Sequence, residues 1–431
     1  EIGYDRIRDA FRSKSEIAYQ GAVQRLDNKR THLKQNPKPA DNAAVPEFKR
    51  MPPAVWIGPS ALTNPCPVTD MEQLSNRLSK VFSDYPELFN HCVKVYQKRV
   101  DYYRLTSEGQ KILQPDTAFH ITARASIKTD GNEVKTEYYR LHVGGINDLP
   151  SEDALIGELH QFAQYMRQKS RAKAVEDLYI GPVLYEDDAA MELLARKIAD
   201  HSHSYWISIR NQSDRKHRYL GKQVFPPALS VCQLGSDSVY NGVKLLGYRQ
   251  VDADGTKPMT LPIIEKGILK HMLTGRTPSL GCPASTGNEH FDGLSRSLET
   301  RYIAGVFHVT SNRPVPYSKL YKRFLKAAKK AGLEHTYIIR KNRTSPYALI
   351  RVDLSTGKEE LVEGNYNAPS REQFKRMHAI SKEENVYNLD PAGGKGLGII
   401  SPKAILLEDM ELDITPSRAR HIDEAFYELR H

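Results

Sequence analysis

At 431 residues, the chain is long enough for two or three domains with sizeable cores. Its 39% apolar and 26% charged residues are ordinary for a globular protein, and no run approaches the roughly 18 consecutive apolar residues that a membrane span needs. The formal net charge of +10 raises the question of a nucleic-acid partner. The densest basic stretch, KLYKRFLKAAKKAG, reads as an amphipathic helix with a solvated lysine face and no interleaved aromatic residues, so nucleic-acid binding is not favoured.

Four cysteines lie far apart and form no CxxC pair: Cys66, Cys92, Cys232 and Cys282. This spacing argues against both a zinc knuckle and a disulfide scaffold, and it predicts free thiols that are mostly buried. The sequence begins with Glu1 rather than Met. A cytoplasmic location is the default expectation, and an export signal upstream stays an open alternative.

The first part of the chain predicts helices followed by an antiparallel meander. Residues 1 to about 35 read as a charged helix with a thin apolar stripe that includes Ile7 and Phe11, and a Pro- and Ala-rich connection follows. A second helix is predicted from Asp70 to Phe82. In AFHITARASI, apolar and polar residues alternate with period two, which predicts a half-buried strand between two others.

A helix that begins after Ser151, its expected N-cap, closes this part, and RAKAVEDLY marks a candidate domain boundary. We therefore predict an N-terminal α+β domain over residues 1–176 and a C-terminal domain over residues 177–431. The C-terminal domain is predicted to be rich in antiparallel hairpins around a cavity. Its hairpins are expected to turn at Glu265–Gly267 and Ser355–Lys358, and SPKAILLEDMELD is expected to be a strand buried on both faces. The fold class is α+β.

GPVLYEDDAAMELLARKIAD reads as a short strand followed by a helix that opens with acids. Helix N-termini are electropositive, so this layout can deliver catalytic groups to a cleft. The inward face of the helix is apolar, at Ala190, Leu194 and Ile198. The positive end of the helix dipole stabilises acids in the first turn, and this alone accounts for Glu186, Asp187 and Asp188 there. Capping of the helix is therefore favoured over catalysis.

General catalytic motifs are absent from the sequence. No GxSxG elbow is present, and GGKGLG (Gly393–Gly398) resembles a phosphate loop without the required Ser or Thr after Lys395. A tight glycine turn between strands is the simpler interpretation.

Several segments in the same order resemble the C-terminal region of the TldD/PmbA proteins. They are YIGPVLYEDDAAMELLARKIAD, YLGKQVFP, LLGYRQVDADGTKPMTLPIIEKGILKHMLTGRTPS and SPKAILLEDMELD. In the family pattern, D-x-x-G is followed by a strand, an N-G or K-G turn and hLKxhh, where h is a hydrophobic residue. Asp252–Gly255 and Glu265–Leu273 match this pattern. The resemblance covers residues ~177 to 413 and is strongest to a longer branch with the charged helix at the start and the YRLTSEGQKI hairpin.

The resemblance implies a metal-dependent peptidase assembly of two kinds of subunit. The catalytic subunit carries His-Glu-x-x-x-His and a late Cys that bind Zn²⁺, whereas its TldE (PmbA) partner has the same fold without these ligands. Carried over to this chain, Glu186 stands at the first His, Asp187 at the Glu and Met191 at the second His. Gly393 stands at about the place of the Cys. No cofactor is therefore expected here, although zinc is expected in active relatives.

Two weaker groups of candidates remain. His201 and His203 lie just beyond the helix in an His-x-His spacing and form an improvised metal site only with a nearby acid. His290, in GNEHF, is a candidate substrate-binding residue because the resemblance places polar loops there, although a surface histidine is the simpler interpretation.

Three functions follow as hypotheses. The first is a zinc-less, TldE-like subunit or pseudo-peptidase that handles unfolded peptides, as a homodimer or with a TldD-like paralogue. The second is an active metal-dependent hydrolase with a non-standard site at Glu186, Asp187, His201 and His203. The third is a non-catalytic module that binds extended peptides along strand edges.

Overall fold

The computed structural model describes residues 3–36, 51–63, 65–129, 133–202, 219–235, 237–276, 284–291, 300–302, 305–389 and 396–415. The helices are α1 (Tyr4–Gln35), α2 (Val68–Ser79), α3 (Glu152–Ser170), α4 (Asp188–Ser202), α5 (Tyr317–Lys330) and α6 (Arg371–Lys375). No helix among the described residues is long and apolar enough to cross a membrane.

The strands follow the same chain order. They are β1 (Val55–Ile57), β2 (Leu88–Leu105), β3 (Lys111–Lys128), β4 (Val134–Val143), β5 (Lys173–Ala174), β6 (Asp177–Asp187), β7 (Leu229–Gln233), β8 (Val239–Tyr240), β9 (Val243–Lys244), β10 (Leu261–Glu265), β11 (Ile268–Leu269), β12 (Glu289–Phe291), β13 (Thr300–Tyr302), β14 (Val306–Ser311), β15 (His335–Lys341), β16 (Ala348–Asp353), β17 (Glu359–Glu363), β18 (Met377–Ile380), β19 (Glu384–Leu389), β20 (Leu397–Pro402) and β21 (Ala404–Ile414).

The α+β class and the antiparallel meander are confirmed. β3 pairs with β2 on one side and with β4 on the other, both antiparallel. The apolar residues of the alternating stretch, from Phe119 to Ile127, are buried against α2 and α3. Ser151 is the N-cap of α3, and its side chain accepts a hydrogen bond from the Ala154 amide at 3.3 Å. The second predicted helix is shorter than expected, because its last turn tightens into a 3₁₀ helix over Lys80–Asp84.

The larger sheet is the central layer of the molecule. Its seven strands run in the order β18-β21-β6-β15-β16-β17-β5. One face packs on α4 and on a six-stranded sheet of order β11-β10-β7-β14-β20-β19. The other face packs on α5, α3 and the meander. Because both faces of the sheet are covered, the consecutive residues Ala404–Leu407 of β21 are all buried. This explains why apolar and polar residues do not alternate along β21.

Both predicted hairpins form, but the sheets also contain parallel strand pairs. The turn of the β10–β11 hairpin has left-handed backbone at Lys266 (φ 48°) and Gly267 (φ 80°), as a tight hairpin turn requires. Sequence periodicity did not reveal the parallel pairs β1–β3, β6–β15, β14–β20 and β5–β17. The reason is that parallel partners are distant in sequence, and a strand's pattern does not specify its neighbour.

The domain boundary at residues 176 and 177 stays a prediction. One core contains side chains from both sides of it, for example Phe162 of α3 and Ile338 of β15. The predicted amphipathic helix is confirmed as α5, which buries Leu320, Phe324 and Ala328. The described cysteines, Cys66, Cys92 and Cys232, are free thiols and half-buried.

Candidate functional site

The junction between β6 and α4 is built differently from the sequence-based prediction. Glu186 and Asp187 are the last residues of β6, and the helix begins at Asp188. β6 continues that far because Arg340 and Lys341 of β15 pair with these two acids in the parallel ladder. The prediction that Glu186 and Asp187 occupy the first helical turn was therefore wrong, and only Asp188 does so.

Asp187 makes the sharp change of direction from strand to helix. Its φ of 54° is left-handed, a conformation in which Asp is tolerated better than most residues. Its amide donates a hydrogen bond to the Lys403 carbonyl at 2.8 Å. Its carboxylate accepts one from the Asn385 amide at 3.1 Å. These contacts give Asp187 a structural role at the junction.

The side chain of Glu186 points to the face of the central sheet that carries α5. It is 2% exposed and shares this face with Leu184, whose neighbours include the α5 side chains. Arg340 Nε lies 2.6 Å from Glu186 Oε2, and the Tyr317 hydroxyl donates to Oε1. Both carboxylate oxygens therefore have partners from β15 and α5.

Met191 lies on the opposite side of the same sheet. It is buried in the core that contains Val183 and Tyr185, together with Ala190 and Leu194 of the same helix. The predicted apolar inward face of α4 is thus confirmed. The structure does not bring Glu186 and Met191 together, because a strand alternates its side chains between two faces and Glu186 takes the other one.

The side chains of the other predicted site residues lie outside the described part of the chain. Gly393 and His203 lie outside the described residues. His201 falls in the last turn of α4 and His290 in β12 by backbone, but their side chains also lie outside the description. Among the side chains that the structure does describe, no three His, Cys, Asp or Glu residues are grouped so as to hold a metal ion.

A polar cluster at the start of α4 was missed by the sequence reasoning. Lys341, the last residue of β15, forms an ion pair with Glu192, one helical turn after Asp188. Burial, reinforced by the Asp187 carboxylate, raises the pKa of Asp188 to about 7. Asp188 can therefore gain or release a proton near neutral pH. The only sequence signal was the i, i+4 spacing of Asp188 and Glu192, since Lys341 is far away in the chain.

The family-like Asp252–Gly255 segment is a structural turn. Asp252 Oδ1 accepts hydrogen bonds from the amides of Asp254 and Thr256, both at 2.9 Å, and Oδ2 accepts one from the Glu289 amide at 3.1 Å. Gly255 has a φ of +77°, which favours glycine. The hydrogen bond from the Glu289 amide thereby holds β12 against the Asp252–Gly255 turn.

The same turn fastens the meander to the rest of the chain. Arg104 of β2 lies 2.9 Å from the Asp254 carboxylate, and the Gln110 side chain donates to the Asp254 carbonyl at 3.0 Å. Asp254 is completely buried. Burial, reinforced by the neighbouring Glu289 carboxyl, raises the pKa of Asp254 well above its ordinary range.

We expect this buried acid to make the stability of the protein depend on pH. Because its pKa is higher in the folded state, the folded protein binds up to one more proton than the unfolded chain between about pH 4 and the raised folded-state pKa. Stability should therefore fall as the pH rises through this window, by at most about 1.4 kcal/mol per pH unit from this group. Denaturant unfolding of Asp254→Asn should show a shallower fall than the wild type. An unchanged pH slope in the variant would contradict the assignment.

The comparisons with known proteins agree with this architecture. Residues 180–308 match the family model of the PmbA/TldA metallopeptidase C-terminal domain. No curated protein sequence matches the chain significantly.

Similar solved structures share the fold at low sequence identity. A proposed modulator of a DNA gyrase from Thermotoga maritima matches with a TM-score of 0.56 and 14% identity, over 85% of this chain and 78% of that one. A proposed modulator of DNA gyrase from Bacteroides thetaiotaomicron matches with a TM-score of 0.55 and 14% identity, over 88% and 78%. TldE from Thermococcus kodakarensis matches with a TM-score of 0.51 and 12% identity, over 88% and 81%.

The family model over residues 180–308 and the fold shared with these structures support a place for this chain among the TldD/PmbA proteins.

Proposed function

We propose that this chain is a zinc-less member of the TldD/PmbA family that binds extended peptides without metal-dependent cleavage. The observation that carries the proposal is the position of Glu186. Its carboxylate stands where the resemblance places a zinc-binding imidazole, yet it faces α5 and is paired with Arg340.

These residues do not fit a zinc ion. A divalent cation that bound Glu186 would have to displace the Arg340 guanidinium and the Tyr317 hydroxyl, and would meet the positive charge of Arg340 at close range. Met191 offers only a buried thioether, whereas protein zinc sites use Cys, His, Asp or Glu. The two positions also lie on opposite faces of the central sheet.

The edge of the six-stranded sheet supports peptide binding. Among the described strands, β19 has one neighbour, β20, so its other edge is unpaired. β19 borders the polar cluster, since the Asn385 side chain donates a hydrogen bond to Asp187, and burial together with the nearby Asp188 carboxylate raises the pKa of Tyr387. An extended peptide can add to such an edge through main-chain hydrogen bonds. We propose that the partner in the assembly is a second copy or a TldD-like paralogue.

Fluorescently labelled, unstructured peptides test this function. Anisotropy should show saturable binding that a chelator does not change, and mass spectrometry should show intact peptide. A matched peptide with N-methylated alternate amides should bind much more weakly, because it lacks the donors for strand addition. Chelator-sensitive cleavage would contradict the zinc-less assignment, and equal binding of both peptides would contradict the strand-edge mode.

A further inference from the structure

The meander sheet includes β1, which pairs with β3 in parallel, and its outer face carries an exposed apolar surface that we call the outer sheet patch. It consists of Val55, Ile57, Tyr103 and Leu105. Their register places them on one face, because Val55 and Leu105 both pair with Lys111, while Ile57 and Tyr103 both pair with Leu113. The opposite face, which includes Ile112, is turned toward the Gly255 turn.

The patch is unusual for a surface that only meets water. Its four side chains are between 64% and 76% exposed, although they lie next to one another across three strands. Contiguous apolar surface of this kind commonly marks an interaction site. On the intervening strand β3, the buried Leu113 lies between Ile57 and Tyr103, and the exposed Lys111 lies between Val55 and Leu105.

Helix α1 has the complementary property. It is 32 residues long, about 48 Å at 1.5 Å per residue, and none of its residues is buried. Tyr4, Ile7 and Phe11 follow helical spacing along one side of its first half, and all three are exposed. Packing of an apolar face provides most of the stability of a protein helix, so α1 needs a surface to cover that side.

We propose that the first half of α1 docks on the outer sheet patch of a second copy of the chain, so that two copies exchange helices. Both surfaces belong to the same chain, and α1 buries none of its residues within its own copy. The chain between Gln35 and Val55 can span at most about 60 Å, at about 3.3 Å per residue, which is enough to reach a neighbour.

The surface area agrees with a stable dimer. Each contact joins the four patch side chains to Tyr4, Ile7 and Phe11. If each of these seven side chains loses roughly 100 Å² of accessible surface, one contact buries about 700 Å² and two contacts related by a two-fold axis bury about 1,400 Å². This total lies within the range of specific interfaces. This dimer is independent of whether the chain binds peptides.

Analytical ultracentrifugation of the full chain tests the exchange. Phe11→Glu and Tyr103→Glu should each weaken the dimer by at least about tenfold, because each places a charge in both contacts. Ile17→Glu is the matched control on the other side of α1, and Ile180→Glu is the control on an exposed position outside the patch. Both controls should leave the dissociation constant within about twofold of the wild type.

Mixing the two variants separates helix exchange from other modes of association. An equimolar mixture should recover dimers that contain one chain of each variant, because one intact helix then meets one intact patch. A monomeric wild type would overturn the proposal. Dimers that respond to Phe11→Glu but not to Tyr103→Glu would show helix–helix pairing instead, and dimers that ignore both would show a different interface.

Discussion

Replacing Arg340 with methionine should lower the free energy of unfolding by about 3–5 kcal/mol. The substitution removes the cation that faces the Glu186 carboxylate at 2.6 Å, while Glu186 is 2% exposed. A buried carboxylate that loses its ion-pair partner carries a desolvation cost that water cannot offset. Urea denaturation of both proteins at one pH measures the difference.

The control for this prediction is the double variant Arg340→Met with Glu186→Gln. It removes both charges and keeps a group that can accept the Tyr317 hydroxyl, so it should regain most of the lost stability. If Arg340→Met alone proves nearly neutral, Glu186 is not held as a buried ion pair. The carboxylate would then be available for other chemistry.

Gly247→Ala should be at least as damaging. A Cβ at this position would lie 1.5 Å from the Gly305 carbonyl oxygen and 2.6 Å from the Gly398 amide nitrogen. Both obstacles are backbone atoms of converging segments beside β14 and β20, so no side chain can move aside to make room. We expect loss of soluble folded protein, or a free energy of unfolding that is lower by about 4 kcal/mol or more, with a correspondingly lower melting temperature.

A matched substitution separates this steric effect from the general effect of alanine. Gly157 lies within helix α3, and a Cβ there would meet nothing within 4 Å. Gly157→Ala should therefore be neutral or stabilising by up to about 1 kcal/mol, because alanine favours the helix. Similar melting temperatures for the two variants would contradict the close backbone approach at Gly247.

The sequence predicted those features that depend on local pattern. The alternation around Phe119 gave β3, the apolar stripe of Ala190 and Leu194 gave the buried face of α4, and Lys266–Gly267 gave a hairpin turn. In each case neighbouring residues determine the structure through side-chain periodicity or backbone conformation.

The site itself depended on residues that are distant in the chain. Glu186 was assigned to a helical turn because acids favour that position, but the ladder with β15 extended the strand and turned the side chain to the other face. Its partner Arg340 is 154 residues away. No local pattern indicates such a pairing, and the same holds for the contact of Lys341 with Glu192.

The most direct test of the zinc-less assignment is elemental analysis of untagged, purified protein, together with melting curves in the presence and absence of a chelator. The structure of the Glu186–Arg340 pair predicts zinc and manganese far below one ion per chain, and a melting temperature that the chelator does not change. One tightly bound ion per chain, with a melting temperature that falls when it is removed, would contradict it.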